Sequence, residues 1–226
     1  MNLYVIATPI GNLEDITIRA LNILKIVDFI VCEDTRVTKR LLEHYQISKP
    51  LFSYHQHSGE RVIEKIKELL KADQSIAYLS DAGTPGISDP GGKLVETLVK
   101  EFDDNLKIIP LPGPSAILAA LSVSGFPTDS FLFLGFVPNK KGRQTYLKQI
   151  AEQNITVVCY ESVYRIEKFL NEIDLLMPKR KLMLGRELTK KFECLYRGYP
   201  HEILVKLKND KVKGEFVIVF APANFK

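Results

Sequence analysis

Three segments of this chain carry more glycine, proline and small polar residues than a turn needs: TPIGN at 8–12, SDAGTPGISDPGG at 80–92 and PGPSA at 112–116. Glycine lets a backbone approach a ligand closely, and proline stiffens the same loop. Such loops offer backbone N–H and C=O groups to a small polar ligand. The second is far longer than the four residues of a β-turn, which favours a ligand role over three tight turns. Charged residues gather at other places. Glu33, Asp34 and Arg36 follow one apolar run, Glu161 and Arg165 a second, and Arg186, Glu187 and Lys190 a third. A carboxylate can take a proton from a weak nucleophile, and an arginine or lysine can hold a phosphate. For Glu33 and Asp34 two readings stand side by side, catalysis or capping of the next helix. His55 and His57 alternate, so in a strand they share a face. With no third ligand near them they read as a solvated or hydrogen-bonded pair, and no metal set is visible.

Familiar nucleotide signatures are missing. No G-x-G-x-x-G follows the first apolar run, and Gly91-Gly92-Lys93-Leu94 has the wrong register for a phosphate loop and lacks its Ser/Thr.

These loops need a scaffold that brings them together. Short β-branched runs, LYVIA (3–7), DFIVC (28–32), SIAYL (75–79) and LKIIP (106–110), read as strands. Between them 16–25, 36–45, 61–70 and 92–102 place apolar residues at helical spacing. Asn12, with Asp15 three positions on, reads as the N-cap of the first helix. Alternation of this kind predicts an α/β fold with a largely parallel sheet, and in such sheets ligands bind beyond the carboxyl ends of the strands. PLPGP at 110–114 breaks any regular element. It predicts two α/β domains, 1–112 and 115–226. The second begins with a small-residue helix at 115–124. Its strands are FLFLGF (131–136), ITVVCY (155–160), KLMLGR (181–186) and EFVIVFA (215–221), with helices near 143–152, 163–176 and 199–208.

Composition bounds what partners to expect. At 226 residues and 46% apolar, the chain is an ordinary globular protein. No apolar run is long enough to span a bilayer, the N-terminus lacks the basic start of a signal peptide, and three scattered cysteines fit a reducing cytosol. Net charge is +4, unevenly spread. Residues 1–138 hold 13 Lys and Arg against 17 Asp and Glu, whereas 139–213 hold 17 against 9. A basic second half suits a polyanion, nucleic acid first, or is a lysine-rich solvated surface.

Taken together, TPIGNLEDIT, CEDTR (32–36), SDAGTPGISDPG, PGPSA, FLGFVPNKKGR (133–143) and RELTKKFE (186–193) resemble the tetrapyrrole methylase superfamily of S-adenosylmethionine-dependent enzymes. CEDTR, GFVPNKKG and RELTKKFE are similar to its ribosomal-RNA branch, and the resemblance covers essentially the whole chain. It implies two α/β domains with the cofactor cleft between them, a cytoplasmic homodimer, and methylation of the ribose 2′-hydroxyl of a cytidine in the decoding region of 16S rRNA on the small ribosomal subunit. It implies S-adenosylmethionine at Pro9, Asp81, Ala82, Gly83, Ile87, Ser88, Ser115 and Ala116, with Tyr160 and Leu188 added from the second half. The catalytic candidates are then Glu187, Arg186, Glu161 and Glu33. Arg36, Lys140, Lys141, Arg143, Arg165 and Lys190 are the candidates for RNA phosphates. The chain departs from the branch at Tyr164, where a histidine is usual, and at Ser58, where asparagine is usual. It also stops soon after its last strand, where many members carry a further segment. Two other functions fit the same residues: methylation of a corrin or porphyrin precursor, and cofactor binding by a non-catalytic RNA assembly factor.

Overall fold

In the computed structural model, which describes residues 1–55, 58–210 and 213–225, side-chain alternation explains the layering of the first half. Its elements are β1 (Asn2–Ile6), α1 (Ile18–Ile26), β2 (Phe29–Cys32), α2 (Thr35–His44), β3 (Leu51–Ser53), α3 (Glu60–Lys71), β4 (Ile76–Leu79), α4 (Gly91–Phe102) and β5 (Lys107–Leu111). Ile6, Ile30, Cys32, Ala77 and Leu79 point to one face of the sheet, where α1 and α2 cover them with Ala20, Leu24, Leu41 and Leu42. Leu3, Val31, Ile76 and Tyr78 point to the other, against Ile66 and Leu70 of α3 and Leu94 and Leu98 of α4. Successive strand residues face opposite ways. Strands wrapped on both faces are therefore apolar throughout, as the wholly buried β4 is.

The five strands are all parallel, in the order β3-β2-β4-β1-β5. Chain progress runs from β1 towards β3 with helices on one face, then from β4 to β5 with helices on the other. The reversal falls between the adjacent strands β1 and β4. That is the topological switch point, and the crevice beyond the strand ends there is where open α/β sheets take ligands.

The second half is built differently. Its elements are α5 (Ala116–Ser124), β6 (Phe131–Phe136), α6 (Arg143–Glu152), β7 (Thr156–Ser162), α7 (Ile166–Leu176), β8 (Leu182–Arg186), β9 (Cys194–Gly198), α8 (Pro200–Lys208) and β10 (Glu215–Phe220). The order is β6-β7-β10-β8-β9. Only β6 and β7 are parallel; the other three pairings are antiparallel. The largely parallel sheet expected from sequence thus holds for the first half only. β6, β7 and β8 nevertheless run the same way, so their carboxyl ends share one edge. The chain divides into two compact units, Met1–Ser115 and Ala116–Lys226.

Asn12 caps a single 3-10 turn, Leu13–Asp15, by accepting from Glu14 N. Ile16 then returns to extended backbone, so α1 starts later and Thr17 is its cap, accepting from Ala20 N at 3.1 Å.

Candidate functional site

Four loops meet at the carboxyl edge of the first sheet. Thr8, after β1, and Gly83, after β4, form an antiparallel bridge: each N–H donates to the other's carbonyl, at 2.9 and 3.0 Å. The Thr8 hydroxyl donates to Ser80 O at 3.1 Å. Gly83 has φ +81, where a side chain costs about 1–2 kcal/mol, so glycine is what lets the loop turn there. The loop after β5 joins through Thr84, whose hydroxyl donates to Pro114 O at 3.3 Å. The loop after β2 joins through Asp81, whose Oδ1 accepts from Asp34 N at 2.9 Å. Asp89 closes the long loop on itself, accepting from Gly86 N and Gly91 N. A Cβ on Gly91 would run into the Tyr78 ring and the Asp89 carboxylate, so that glycine is required by close packing. Ser88, in the same loop, is held at φ 66, a left-handed conformation uncommon outside glycine.

This edge is acidic and poorly neutralised. Partial burial pushes the Glu33 carboxyl above its ordinary value, and the Asp81 and Asp89 charges push it further. Burial likewise raises Asp81. Behind them the Tyr78 hydroxyl is wholly buried and has no hydrogen-bond partner among the described residues. Burial first, then the Asp89 and Glu33 charges, raise its pKa. Asp34 is the exception. Its Oδ1 accepts from Arg36 N at 2.8 Å, and the exposed Arg36 guanidinium holds its carboxyl down to about 2. Of the two readings open for Asp34, helix capping is the one its geometry performs.

The second sheet presents the ends of β6, β7 and β8. Glu161, at the end of β7, has a fully buried side chain. Its Oε1 accepts from Arg165 Nη2 and Ser162 N, both at 2.7 Å, and Arg143 Nη1 stands 3.6 Å from Oε2. Arg143 also binds Glu172 at 2.6 Å and donates to Pro138 O at 2.8 Å. After β8, the Glu187 Oε1 accepts from Lys190 Nζ and from Glu215 N, each at 2.9 Å. Burial acts to raise its pKa, but Lys190 and that N–H outweigh burial and leave it below its ordinary value. Glu187 sits at φ 51. Arg186 pairs with Asp210 at 3.2 Å and lies over the Tyr196 ring.

The expected residues therefore separate. Pro9, Asp81, Ala82, Gly83, Ile87, Ser88 and Ser115 sit on the loops of the first sheet edge, and Ala116 opens α5. Tyr160 lies in β7 between the Phe133 and Phe136 rings, and burial pushes its hydroxyl up to about 12. Leu188 is buried, packed on Gly185. Three RNA candidates need correction. Arg165 pairs with the buried Glu161 at 2.7 Å and donates to Ser162 Oγ at 3.1 Å. Arg143 is 5% exposed and committed to Glu172, Glu161 and Pro138, so it holds the fold and faces no phosphate. Lys190 is neutralised by Glu187 and Glu215, at 2.9 and 2.8 Å. Lys140 and Lys141 remain exposed. Sequence reasoning passed over Thr8, Tyr78 and Asp89. The usable signal was a tyrosine inside a four-residue buried strand, directly before the long loop. Among the described residues, no group of three or more His, Cys, Asp or Glu is placed to hold a metal. His55 N donates to Ser58 Oγ at 2.8 Å, and His57 lies outside the described residues.

A family model for Tetrapyrrole (Corrin/Porphyrin) Methylases matches residues 2–203. The chain is 46% identical over 226 residues to ribosomal RNA small subunit methyltransferase I of Hydrogenobaculum sp. (strain Y04AAS1), covering 99% of this chain and 97% of that protein. The chain belongs to the tetrapyrrole methylase family, in its ribosomal RNA small subunit methyltransferase I branch. The protein of that name from Thermotoga maritima is 42% identical, covering 97% of both chains. The one from Escherichia coli O157:H7 is 43% identical over 96% of this chain and 76% of its own length. Among solved structures, uroporphyrin-III C-methyltransferase from Thermus thermophilus, complexed with S-adenyl homocysteine, superposes with a TM-score of 0.66 at 18% identity. That match covers 98% of this chain and 97% of the other. At that identity the likeness shows the shared fold: two α/β domains of the tetrapyrrole methylase type.

Proposed function

We propose that this chain transfers a methyl group from S-adenosylmethionine to the ribose 2′-hydroxyl of a cytidine in the decoding region of 16S rRNA. The observation that carries the reading is the near full-length identity, 42–46%, to relatives named ribosomal RNA small subunit methyltransferase I. The structural likeness to a uroporphyrin-III methyltransferase extends to fold, so it lends a corrin or porphyrin substrate no support of its own.

The first sheet edge fits the cofactor. Short side chains at Ala82, Gly83, Ser115 and Ala116 keep backbone within reach of a ligand at the switch point. Only Oδ1 of Asp81 is hydrogen-bonded among the described residues, so its second oxygen is left to accept from a ligand hydroxyl or ammonium. When bound, S-adenosylmethionine supplies a methyl group activated on a sulfonium, so the protein's task is orientation and electrostatics. Pro9, Asp81, Gly83, Ile87 and Ser88 bind and orient it. A ribose hydroxyl is a weak nucleophile that needs its proton taken. Glu33 follows β2 at the first sheet edge, is partly buried and has a raised proton affinity, so its carboxylate accepts that proton. Glu187 is held by Lys190 and is the poorer base, while Glu161 and Arg186 keep the second sheet's loops in place. Arg36, Lys140 and Lys141 face the RNA phosphates, whereas Arg165 is committed to the buried Glu161.

The enzyme acts as a cytosolic homodimer. No described helix is long and apolar enough to cross a membrane, and light scattering of the purified protein checks the dimer. The function is tested by incubating the protein with methyl-labelled S-adenosylmethionine and small ribosomal subunits. Label enters 16S rRNA, and a DNA copy of the target stays unlabelled because it lacks the 2′-hydroxyl. Cofactor binding without any transfer would instead identify a non-catalytic assembly factor.

A further inference from the structure

Two aromatic rings stand out in solvent on the second sheet's loop edge. Tyr164, between β7 and α7, is 94% exposed, and Phe192, between β8 and β9, is 68% exposed. Leaving a ring of this size out of a core forgoes about 1.5–3 kcal/mol, and neither belongs to the second unit's apolar core. The loops that carry them rise from strands separated by β10 alone, a gap of roughly 10 Å from two interstrand spacings. Exposed lysines lie on the same and the adjacent loops. Lys140 and Lys141 are exposed on the neighbouring loop after β6, and the Lys191 ammonium lies 5.7 Å from the Phe192 ring centroid. All of this falls in the stretch 139–213, with its 17 basic against 9 acidic residues.

We infer that this edge is a stacking platform for unpaired nucleotides, with Tyr164 and Phe192 each covering the face of one RNA base while Lys140, Lys141 and Lys191 hold the adjoining phosphates. The inference rests on the proposed rRNA substrate and specifies its form. A base stacked inside a duplex offers no free face, so exposed rings set among lysines select single-stranded or splayed-out RNA over duplex. An apolar protein partner would not explain the lysines, and a phosphate-only grip would not explain the rings.

The test is fluorescence anisotropy with a labelled single-stranded RNA oligonucleotide and its duplex form. Wild-type protein binds the single strand more tightly. Tyr164→Ala and Phe192→Ala each weaken single-strand binding roughly tenfold and leave S-adenosylmethionine affinity unchanged, which also shows that the variants are folded. Tyr164→Phe and Phe192→Tyr keep the ring and keep the binding. Alanine variants that bind as wild type overturn the inference. So does a Tyr164→Phe variant as weak as Tyr164→Ala, equal affinity for duplex, or a loss of dimer that assigns the rings to a contact between copies. Absence of methyl transfer by the wild-type protein defeats the functional reading instead, and the binding comparison separates the two failures.

Discussion

The two sheet edges treat their carboxylates in opposite ways. At the first, Glu33, Asp81 and Asp89 stand near one another with little cationic compensation, and burial lifts the pKa of Glu33 and Asp81. At the second, Glu161 is gripped by Arg165 and approached by Arg143, and Glu187 by Lys190. A buried carboxylate with partners is structural: its charge is spent on holding loops. A partly buried carboxylate with raised proton affinity lowers stability at neutral pH, and such sites cluster where proton transfer is needed. On the proposed reading the proton transfer belongs to the first edge, while the buried carboxylates of the second hold its loops, although sequence alone offers both sets equally.

The largest effect expected from this contrast is on stability. Glu161→Ala leaves Arg143 and Arg165 without their shared buried partner and should cost about 3–5 kcal/mol in urea unfolding; a loss well under that would mean the network is not a lock. Next comes Glu33→Gln. Turnover should fall roughly 100-fold with cofactor affinity retained, and stability at neutral pH should not fall. The sign follows from the raised pKa: the folded state binds the proton more tightly, so Glu33 stabilises below its ordinary value of 4.5 and that contribution is lost as pH rises through the folded pKa. Activity runs the other way, rising as Glu33 ionises, and the glutamine variant should flatten both profiles. A variant with normal turnover would remove Glu33 from the chemistry.

A matched pair of glycines sharpens the comparison further. Gly83 and Gly142 both have φ +81, so alanine at either pays a similar strain of about 1–2 kcal/mol. Only Gly83→Ala should also weaken S-adenosylmethionine binding by calorimetry, because only Gly83 lies at the first edge; equal binding by both variants would detach the cofactor from these loops. The smallest effect is electrostatic. Replacing Lys140 and Lys141 by glutamine should lower the salt-dependence slope of single-stranded RNA binding by about 1.4, from about 0.7 per phosphate contact, and leave the cofactor untouched. An unchanged slope would make that loop a solvated surface.

Much of the scaffold was legible because long periodic segments leave little choice. The helix predicted near 143–152 is α6, and β6, β8 and β10 fall on the apolar runs that announced them. β3 escaped because three half-buried residues, Leu51–Ser53, show no alternation. β9 escaped because its sequence, CLYRG, holds an exposed Arg197 and ends in glycine. The glycine–proline loops were legible as a group, since composition marks a loop without needing its partners. Charge pairing was not. Arg143 reads as one more cation beside Lys140 and Lys141, and only folding reveals Glu172, 29 positions away, as its partner. The same holds for Lys190 with Glu215, 25 positions away. Charge sign is a local property of sequence, whereas neutralisation belongs to the tertiary structure.

The proposed reaction is methyl transfer to a ribose oxygen, with Glu33 taking the proton. Its most direct test is an alkaline-hydrolysis map of 16S rRNA from small subunits treated with S-adenosylmethionine and either wild-type protein or Glu33→Gln. A 2′-O-methyl group removes the hydroxyl that alkali uses to cut the adjacent linkage. The predicted result is one new alkali-resistant linkage, after a cytidine of the decoding region, with the wild type, and a far slower appearance of it with Glu33→Gln. Methyl incorporation at a nucleotide that still cleaves in alkali would show base methylation and exclude transfer to the ribose.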